Sequence, residues 1–119
     1  MRKAFLQQKA QEDVRSIVLY IAEDNPQAAS DFRRAIENAR ETIGTLPEIG
    51  SAYNFDNTEL KGLRMLPLRK FKKYLIFYRL NVEEDITEIV RVVHSARDLP
   101  TLFGASGTEN ENGEEQKAA

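Results

Sequence analysis

Two stretches in the first half of the chain repeat apolar residues at helical spacing. The first stripe consists of Ala10, Val14, Ile17, Val18 and Ile21, and the second of Phe32, Ile36, Ala39, Ile43 and Leu46. Each set falls on one face of a helix. Asn25 and Pro26 stand between them, and this pair is typical of a helix N-cap followed by a first helical residue. The spacing therefore predicts two helices that pack antiparallel as a helical hairpin.

Strand patterns surround this hairpin. Residues 4–6 predict one short N-terminal strand, and residues 63–68, 74–80 and 86–93 predict three more, rich in branched and aromatic side chains. Residues 81–85 include three acidic residues and predict a charged hairpin turn, whereas the polar residues 47–60 predict a loop. The predicted fold is α+β, in the order β-α-α-β-β-β. Its helical hairpin covers one face of a twisted antiparallel sheet.

The length of 119 residues fits one domain, which we place at residues 1–103. Residues 104–119 contain no apolar side chain larger than Ala and carry four Glu against one Lys. Such a segment buries too little apolar surface to offset the conformational entropy that it would lose on becoming ordered. We predict a disordered acidic tail.

The composition excludes several kinds of chemistry. The chain has no Cys and a single His, His94, so disulfides, thiol nucleophiles and multi-histidine metal sites are ruled out. We expect no metal and no cofactor. The longest apolar run, residues 17–22, is much shorter than the roughly 20 residues that span a bilayer. We expect a cytoplasmic protein without membrane association.

The net charge of −2 hides an uneven distribution. Residues 61–82 contain seven basic residues and no acidic one, while the segments on both sides are acidic. Such a block can steer an anionic partner. Alternatively, it forms a solvated sheet face whose charge the acidic helices balance in space.

His94 follows the last predicted strand and is the one candidate for acid or base catalysis near neutral pH. One interpretation groups it with Arg64, Arg79 and Arg91 at one end or face of the sheet, where they would bind phosphate or cleave RNA. The other is a half-buried His that is hydrogen-bonded to backbone. Arg91 lies between valines, so we expect it to pair with Glu59 or Glu88 or to lie on a binding surface. The aromatic residues Tyr74, Phe77 and Tyr78 are more typical of a core than of a base-stacking surface.

Five segments taken in order resemble the ParE toxins of the RelE/ParE superfamily, the plasmid-stabilisation proteins of bacterial toxin–antitoxin systems. They are YIAEDNPQAASDF (20–32), LPEIG (46–50), LRMLPL (63–68), YLIFYRL (74–80) and IVRVVHSARDLPTL (89–102). The resemblance implies the fold given above. It also implies a growth-inhibiting toxin in a hetero-oligomer with an antitoxin of the ribbon-helix-helix, ParD-like type. Contact with operator DNA would occur only through that antitoxin.

ParE-type members resemble poisons of DNA gyrase and catalyse no reaction, whereas RelE-type relatives are ribosome-dependent mRNA endonucleases. The segment HSARDLP fits the gyrase branch better. We therefore expect a non-enzymatic gyrase inhibitor, with an RNase that uses Arg64, Arg79 and His94, or an inactive homologue that binds only antitoxin, as alternatives. The expected target-facing residues are Arg64, Arg79, Arg91, His94 and Arg97. The expected antitoxin contacts, provided that they are exposed, are Val18, Ile21, Phe32 and Ile36.

Overall fold

The computed structural model describes residues 3–52 and 62–96. The elements are β1 (Lys3–Leu6), α1 (Gln8–Asp24), α2 (Pro26–Thr45), β2 (Ser51–Ala52), β3 (Arg64–Leu68), β4 (Phe71–Asn81) and β5 (Ile86–His94). The predicted order of a strand, two helices and three longer strands is confirmed. The two-residue β2 was missed, because it lies in a polar stretch with no strand pattern.

The sheet has the order β1-β5-β4-β3-β2 and is mixed. The pairs from β2 to β5 are antiparallel, as predicted, but β1 pairs in parallel with β5. The parallel pairing follows from the connection: the chain passes through both helices and three strands before β5 returns beside β1. Arg40 of α2 donates to the carbonyl of Ala4 at 3.1 Å, so a helix side chain satisfies one acceptor of this short edge strand.

The second helix of the hairpin begins as the sequence indicates. The side chain of Asn25 accepts a hydrogen bond from the Ala28 N–H at 3.0 Å, and Pro26 occupies the first turn of α2. This cap satisfies one of the unpaired N–H groups at the start of the helix. Because α2 begins two residues after α1 ends, the two helices lie side by side and present their apolar stripes to the sheet.

The core lies between this hairpin and one face of the sheet. Phe32 is completely buried and meets the rings of Phe71 and Tyr74 edge-to-face, with centroids 5.3 and 5.2 Å away. Tyr78 belongs to the same core cluster, whereas Phe77 is completely buried but lies outside that cluster. The interpretation of Tyr74, Phe77 and Tyr78 as packing residues is therefore confirmed. Across this core, Ile36 and Ile43 of α2 belong to the same cluster as Ile76 and Val92 of the sheet.

Candidate target-binding surface

Arg64 at the start of β3 holds the turn that follows α2. Its Nη1 donates to the Gly50 carbonyl at 2.6 Å. Beneath it, the buried Tyr78 hydroxyl accepts from the Gly50 N–H at 2.8 Å and donates to the Pro47 carbonyl at 2.7 Å. Burial raises the pKa of Tyr78, so the phenol stays protonated and able to donate. The Arg64 guanidinium is thus engaged by backbone.

Gly50 is required at this turn by space. A Cβ added there would lie 2.7 Å from the Tyr78 hydroxyl and 2.8 Å from the Met65 carbonyl oxygen. Both distances are shorter than real Cβ contacts, and the Met65 atom belongs to the backbone of β3. The segment LPEIG therefore has a structural function, because it lets the chain leave α2 and approach the sheet closely.

Arg79 is paired across the β4–β5 hairpin. Its Nε donates to Glu88 Oε1 at 3.1 Å, and Asn81 Nδ2 donates to the other oxygen at 3.1 Å. These contacts, the Asn81 hydrogen bond first, hold the pKa of Glu88 below its usual value. One cation of the basic block is therefore balanced by the neighbouring strand and not by a helix.

Arg91 pairs with a helix carboxylate. Its Nε and Nη2 donate to the two oxygens of Asp13 at 2.8 and 2.9 Å, and both side chains are largely buried. The prediction of Glu88 was wrong, since Glu88 binds Arg79; Glu59 lies outside the described residues. Sequence reasoning assumed that a helix carboxylate had to cross the core. Because β1 ends at Leu6, the first turns of α1 instead lie along the edge of β5.

This geometry changes the expected role of Arg91. Asp13 Oδ2 also accepts the Val92 N–H at 2.9 Å, so one carboxylate binds both the side chain and the backbone of β5. Hydrogen bonding to Asp13 raises the pKa of Arg91. Reversing the charge at Arg91 would oppose two buried carboxylates and destabilise the fold, so it is unsuited as a test of target contact.

His94 ends β5 opposite Tyr74, with ring centroids 5.1 Å apart in an edge-to-face arrangement. Its Nδ1 accepts the Ala96 N–H at 3.0 Å, and the ring is half-buried. This agrees with the structural interpretation of His94 as a backbone-bonded residue at a strand end. The ring also borders a hollow of about 420 Å³ that Tyr74, Phe71 and three lysines complete.

The structure does not bring the predicted cationic residues to one place. Arg79 lies opposite Glu88, whereas His94 lies opposite Tyr74, five positions further along β4. At strand spacing this separates them by about 16 Å. Arg91 lies at the outer edge of β5, and Arg64 lies on β3 at the far side of β4. Arg97 lies outside the described residues.

The exposed cations lie instead at the β3–β4 turn. Arg69, Lys70, Lys72 and Lys73 are all exposed there, and we call these four residues the basic hairpin. Lys70 and Lys72 also border a groove of about 530 Å³ between α2 and β3, whose apolar wall includes Ala39 and Leu66. Sequence reasoning counted these charges but did not select the residues. The signal was the density of cations on both sides of a turn.

Three of the four expected antitoxin contacts do not meet the condition of exposure. Val18, Phe32 and Ile36 are 9%, 0% and 6% exposed and belong to the core, and Ile21 is half-buried against it. Their helical stripe faces the sheet, since that is where the apolar surface is buried. The exposed apolar residues of α1 are Leu19 and Tyr20.

Within residues 3–52 and 62–96, no group of three or more His, Asp or Glu side chains is placed to hold a metal ion. No helix of that part of the chain is long and apolar enough to cross a membrane.

The described residues thus form a helical hairpin over a mixed sheet whose N-terminal strand is parallel to its last strand. The family described as the ParE toxin of type II toxin–antitoxin systems, parDE, matches residues 5–99. The chain therefore belongs to the ParE toxin family, as the sequence resemblance indicated. The match begins within β1 and covers α1, α2 and β2 to β5 in full.

Two solved structures share this fold. The chromosomal ParDE toxin–antitoxin system of P. aeruginosa aligns with a TM-score of 0.64 and 17% identity, covering 79% of this chain and 96% of that chain. The RelBE2 toxin–antitoxin complex of Mycobacterium tuberculosis aligns with a TM-score of 0.52 and 19% identity, covering 78% and 90%. No curated protein matches the chain.

Proposed function

We propose that this toxin inhibits bacterial growth by contact with DNA gyrase, catalyses no reaction, and is neutralised by a ribbon-helix-helix, ParD-like antitoxin with which it forms a hetero-oligomer. Membership of the ParE family supports the gyrase branch. Antitoxin binding is supported by the similarity to a chain of a ParDE system.

One observation supports the non-enzymatic character most directly. The arginines that an RNase would direct at a phosphate are engaged within the fold: Arg64 by the Gly50 carbonyl and Arg79 by Glu88. Stabilisation of developing charge requires donors that point at the reacting group. The separation of Arg79 from His94 along β4 further opposes a shared active site of Arg64, Arg79 and His94.

The second candidate, an RNase of the RelE kind, is favoured by a different set of residues. His94, Tyr74 and Lys73 border one hollow, and the ring of His94 meets that of Tyr74. An imidazole beside cations can serve as a general acid in RNA cleavage. If the protein is an RNase, we place its site there and not at Arg79.

Purified gyrase separates the two functions. The toxin is incubated with supercoiled plasmid, gyrase and ATP, and the reaction is stopped with detergent and protease. We expect more linear plasmid than in a reaction without toxin. His94→Gln, whose amide oxygen can still accept the Ala96 N–H, should retain this effect. Absence of linear DNA, together with ribosome-dependent mRNA cleavage that His94→Gln abolishes, would establish the RNase instead.

A further inference from the structure

The four cations of the basic hairpin have no internal electrostatic function. Arg69, Lys70, Lys72 and Lys73 are exposed, and none forms an ion pair within residues 3–52 and 62–96. The other described arginines of the same charge block, Arg64 and Arg79, are engaged inside the fold. Among the described cations of this block, those with no hydrogen bond or ion pair inside the fold are therefore concentrated at one turn.

The basic hairpin is shaped as a ridge. Lys70 has φ +71°, and this left-handed residue turns the chain back between β3 and β4. Lys70 and Lys72 border both the groove beside α2 and the hollow beside His94, so the turn separates the two depressions. The one acidic residue among the described residues that line the groove, Asp31, accepts a hydrogen bond from Gln27 and pairs with Arg34. A ridge of cations can approach an anionic surface that a recessed site could not reach.

The rest of the sheet carries its negative charge at the opposite end. Glu83, Glu84 and Asp85 are exposed at the β4–β5 turn, eleven residues of β4 away. At strand spacing the two turns are about 35 Å apart, several Debye lengths at physiological salt. The acidic turn therefore does not cancel the field at the basic hairpin. An anionic partner is attracted to one end only.

We propose that the basic hairpin contacts the phosphate backbone of duplex DNA, and that during inhibition this is the DNA held by gyrase; the second clause rests on the proposed function. Arg69 and Lys70 lie at the turn and Lys72 and Lys73 follow on β4, so Lys70 to Lys73 extend over about 10 Å, a length along which a duplex presents about six phosphate charges. Only β3 and β4 reach this end of the sheet, since β5 pairs with β4 from Tyr74 onward and β2 pairs with β3 no further than Met65. This two-stranded end is narrow enough to approach a groove of the duplex. Four phosphate contacts give only weak binding alone, which suits a surface that engages DNA already held by another protein.

The direct test measures binding of the full chain to a fluorescent duplex of about 20 base pairs, by anisotropy, over salt concentrations from about 20 to 200 mM. The logarithm of the binding constant should fall with the logarithm of salt with a slope of about −3 to −4, as four phosphate contacts require. Arg69→Gln/Lys70→Gln/Lys72→Gln/Lys73→Gln should weaken binding at least about tenfold at low salt and flatten the slope.

The matched control is Lys3→Gln/Lys9→Gln/Arg15→Gln/Arg33→Gln, which removes the same charge from four other exposed positions. This variant should bind almost as well as the wild type. Equal weakening by both variants would show attraction to total charge only and overturn the proposal. A single-stranded RNA of the same length that binds more tightly than the duplex, through the same four residues, would also overturn it.

The gyrase assay keeps the two proposals separate. The hairpin variant should still bind gyrase in the absence of DNA but should accumulate less linear plasmid than the control variant. If wild-type toxin accumulates none, the gyrase function fails, whatever the duplex measurement shows. If the hairpin variant accumulates as much linear plasmid as the control, DNA contact during inhibition is refuted while the gyrase function stands.

Discussion

At the residue scale, a few side chains determine the path of the backbone between the two layers. Tyr78 is buried in the middle of β4, yet its hydroxyl organises the turn at Pro47 and Gly50, about thirty positions earlier in the chain. Arg64 binds the Gly50 carbonyl from the neighbouring strand. Tyr78 and Arg64 thus join the turn after α2 to β4 and β3 by hydrogen bonds. These polar contacts are separate from the apolar stripes of the hairpin.

Removing the Tyr78 hydroxyl tests this attachment. Tyr78→Phe leaves the Gly50 N–H and the Pro47 carbonyl without their buried partner, and we expect the free energy of unfolding to fall by about 1–3 kcal/mol. Urea denaturation measures it. Tyr20→Phe, at a side chain that is 71% exposed, is the control and should change the value by less than about 0.5 kcal/mol. A loss no larger than that of the control would show that the turn is held by other contacts.

Sequence reasoning works at this scale only where one neighbour decides the outcome. Asn25 and Pro26 were predicted correctly, because a helix cap is a local interaction. The partner of Arg91 was predicted wrongly, because the choice between Asp13 and Glu88 depends on where β1 stops and on which side of β5 the helix lies. The same holds for Arg64, whose backbone acceptors belong to a segment that shows no pattern in the sequence.

At the element scale, α1 completes the edge of β5. The four-residue β1 pairs with β5 only as far as Ile89. Beyond that point the Asp13 carboxylate takes the place of a strand, since it accepts the Val92 N–H and binds Arg91. The helix and the strand are therefore joined by a polar contact at one edge as well as by apolar packing.

Truncation of this carboxylate should be costly. Asp13→Ala leaves a largely buried guanidinium and a strand N–H unpaired, and we expect a loss of about 3 kcal/mol in the free energy of unfolding. Asp13→Asn retains an acceptor and should lose less. The double variant Asp13→Ala/Arg91→Met should regain part of the loss, because it removes the unpaired charge. A double variant as unstable as Asp13→Ala would show that the unpaired charge is not the main cost.

The β4–β5 hairpin should weaken in acid. The folded pKa of Glu88 lies below its ordinary value of 4.5, so its contribution is complete above that pH and is lost as the pH falls through the folded pKa. Glu88→Gln should therefore be less stable than the wild type at neutral pH, and the difference should narrow towards about pH 3. Urea denaturation at both pH values measures it. A difference that does not change with pH would mean that the charge of Glu88 contributes nothing.

At the scale of the whole molecule, the sheet is electrically asymmetric, with the basic hairpin at one end and Glu83, Glu84 and Asp85 at the other. The charge arithmetic of the sequence located the basic segment and the acidic segments on both sides of it, and the predicted strands left residues 69–73 between them. The periodicity did not show which of the cations would be hydrogen-bonded or paired inside the fold. That selection depends on long-range contacts, above all those of Arg64 and Arg79.

The predicted division at residue 103 also belongs to this scale. Every residue of the core cluster lies between Ala4 and Val92. We expect a chain that ends at Phe103 to unfold at the same urea midpoint and with the same dependence on urea as the full chain. A clear drop in the midpoint would show that residues 104–119 pack on the domain, and would contradict the predicted disordered tail.

The parallel pairing of β1 with β5 has a consequence for the newborn protein. Lys3 pairs with Ile86, so β1, the first strand to be synthesised, has no partner until β5, the last strand, has been synthesised. At about 5–20 residues per second, the ribosome takes about 4–16 s to supply that partner. Closing so long a loop is also a slow step in folding. A half-made chain therefore lacks the finished sheet, and the surfaces that the folded sheet presents exist only when translation of the domain is almost complete.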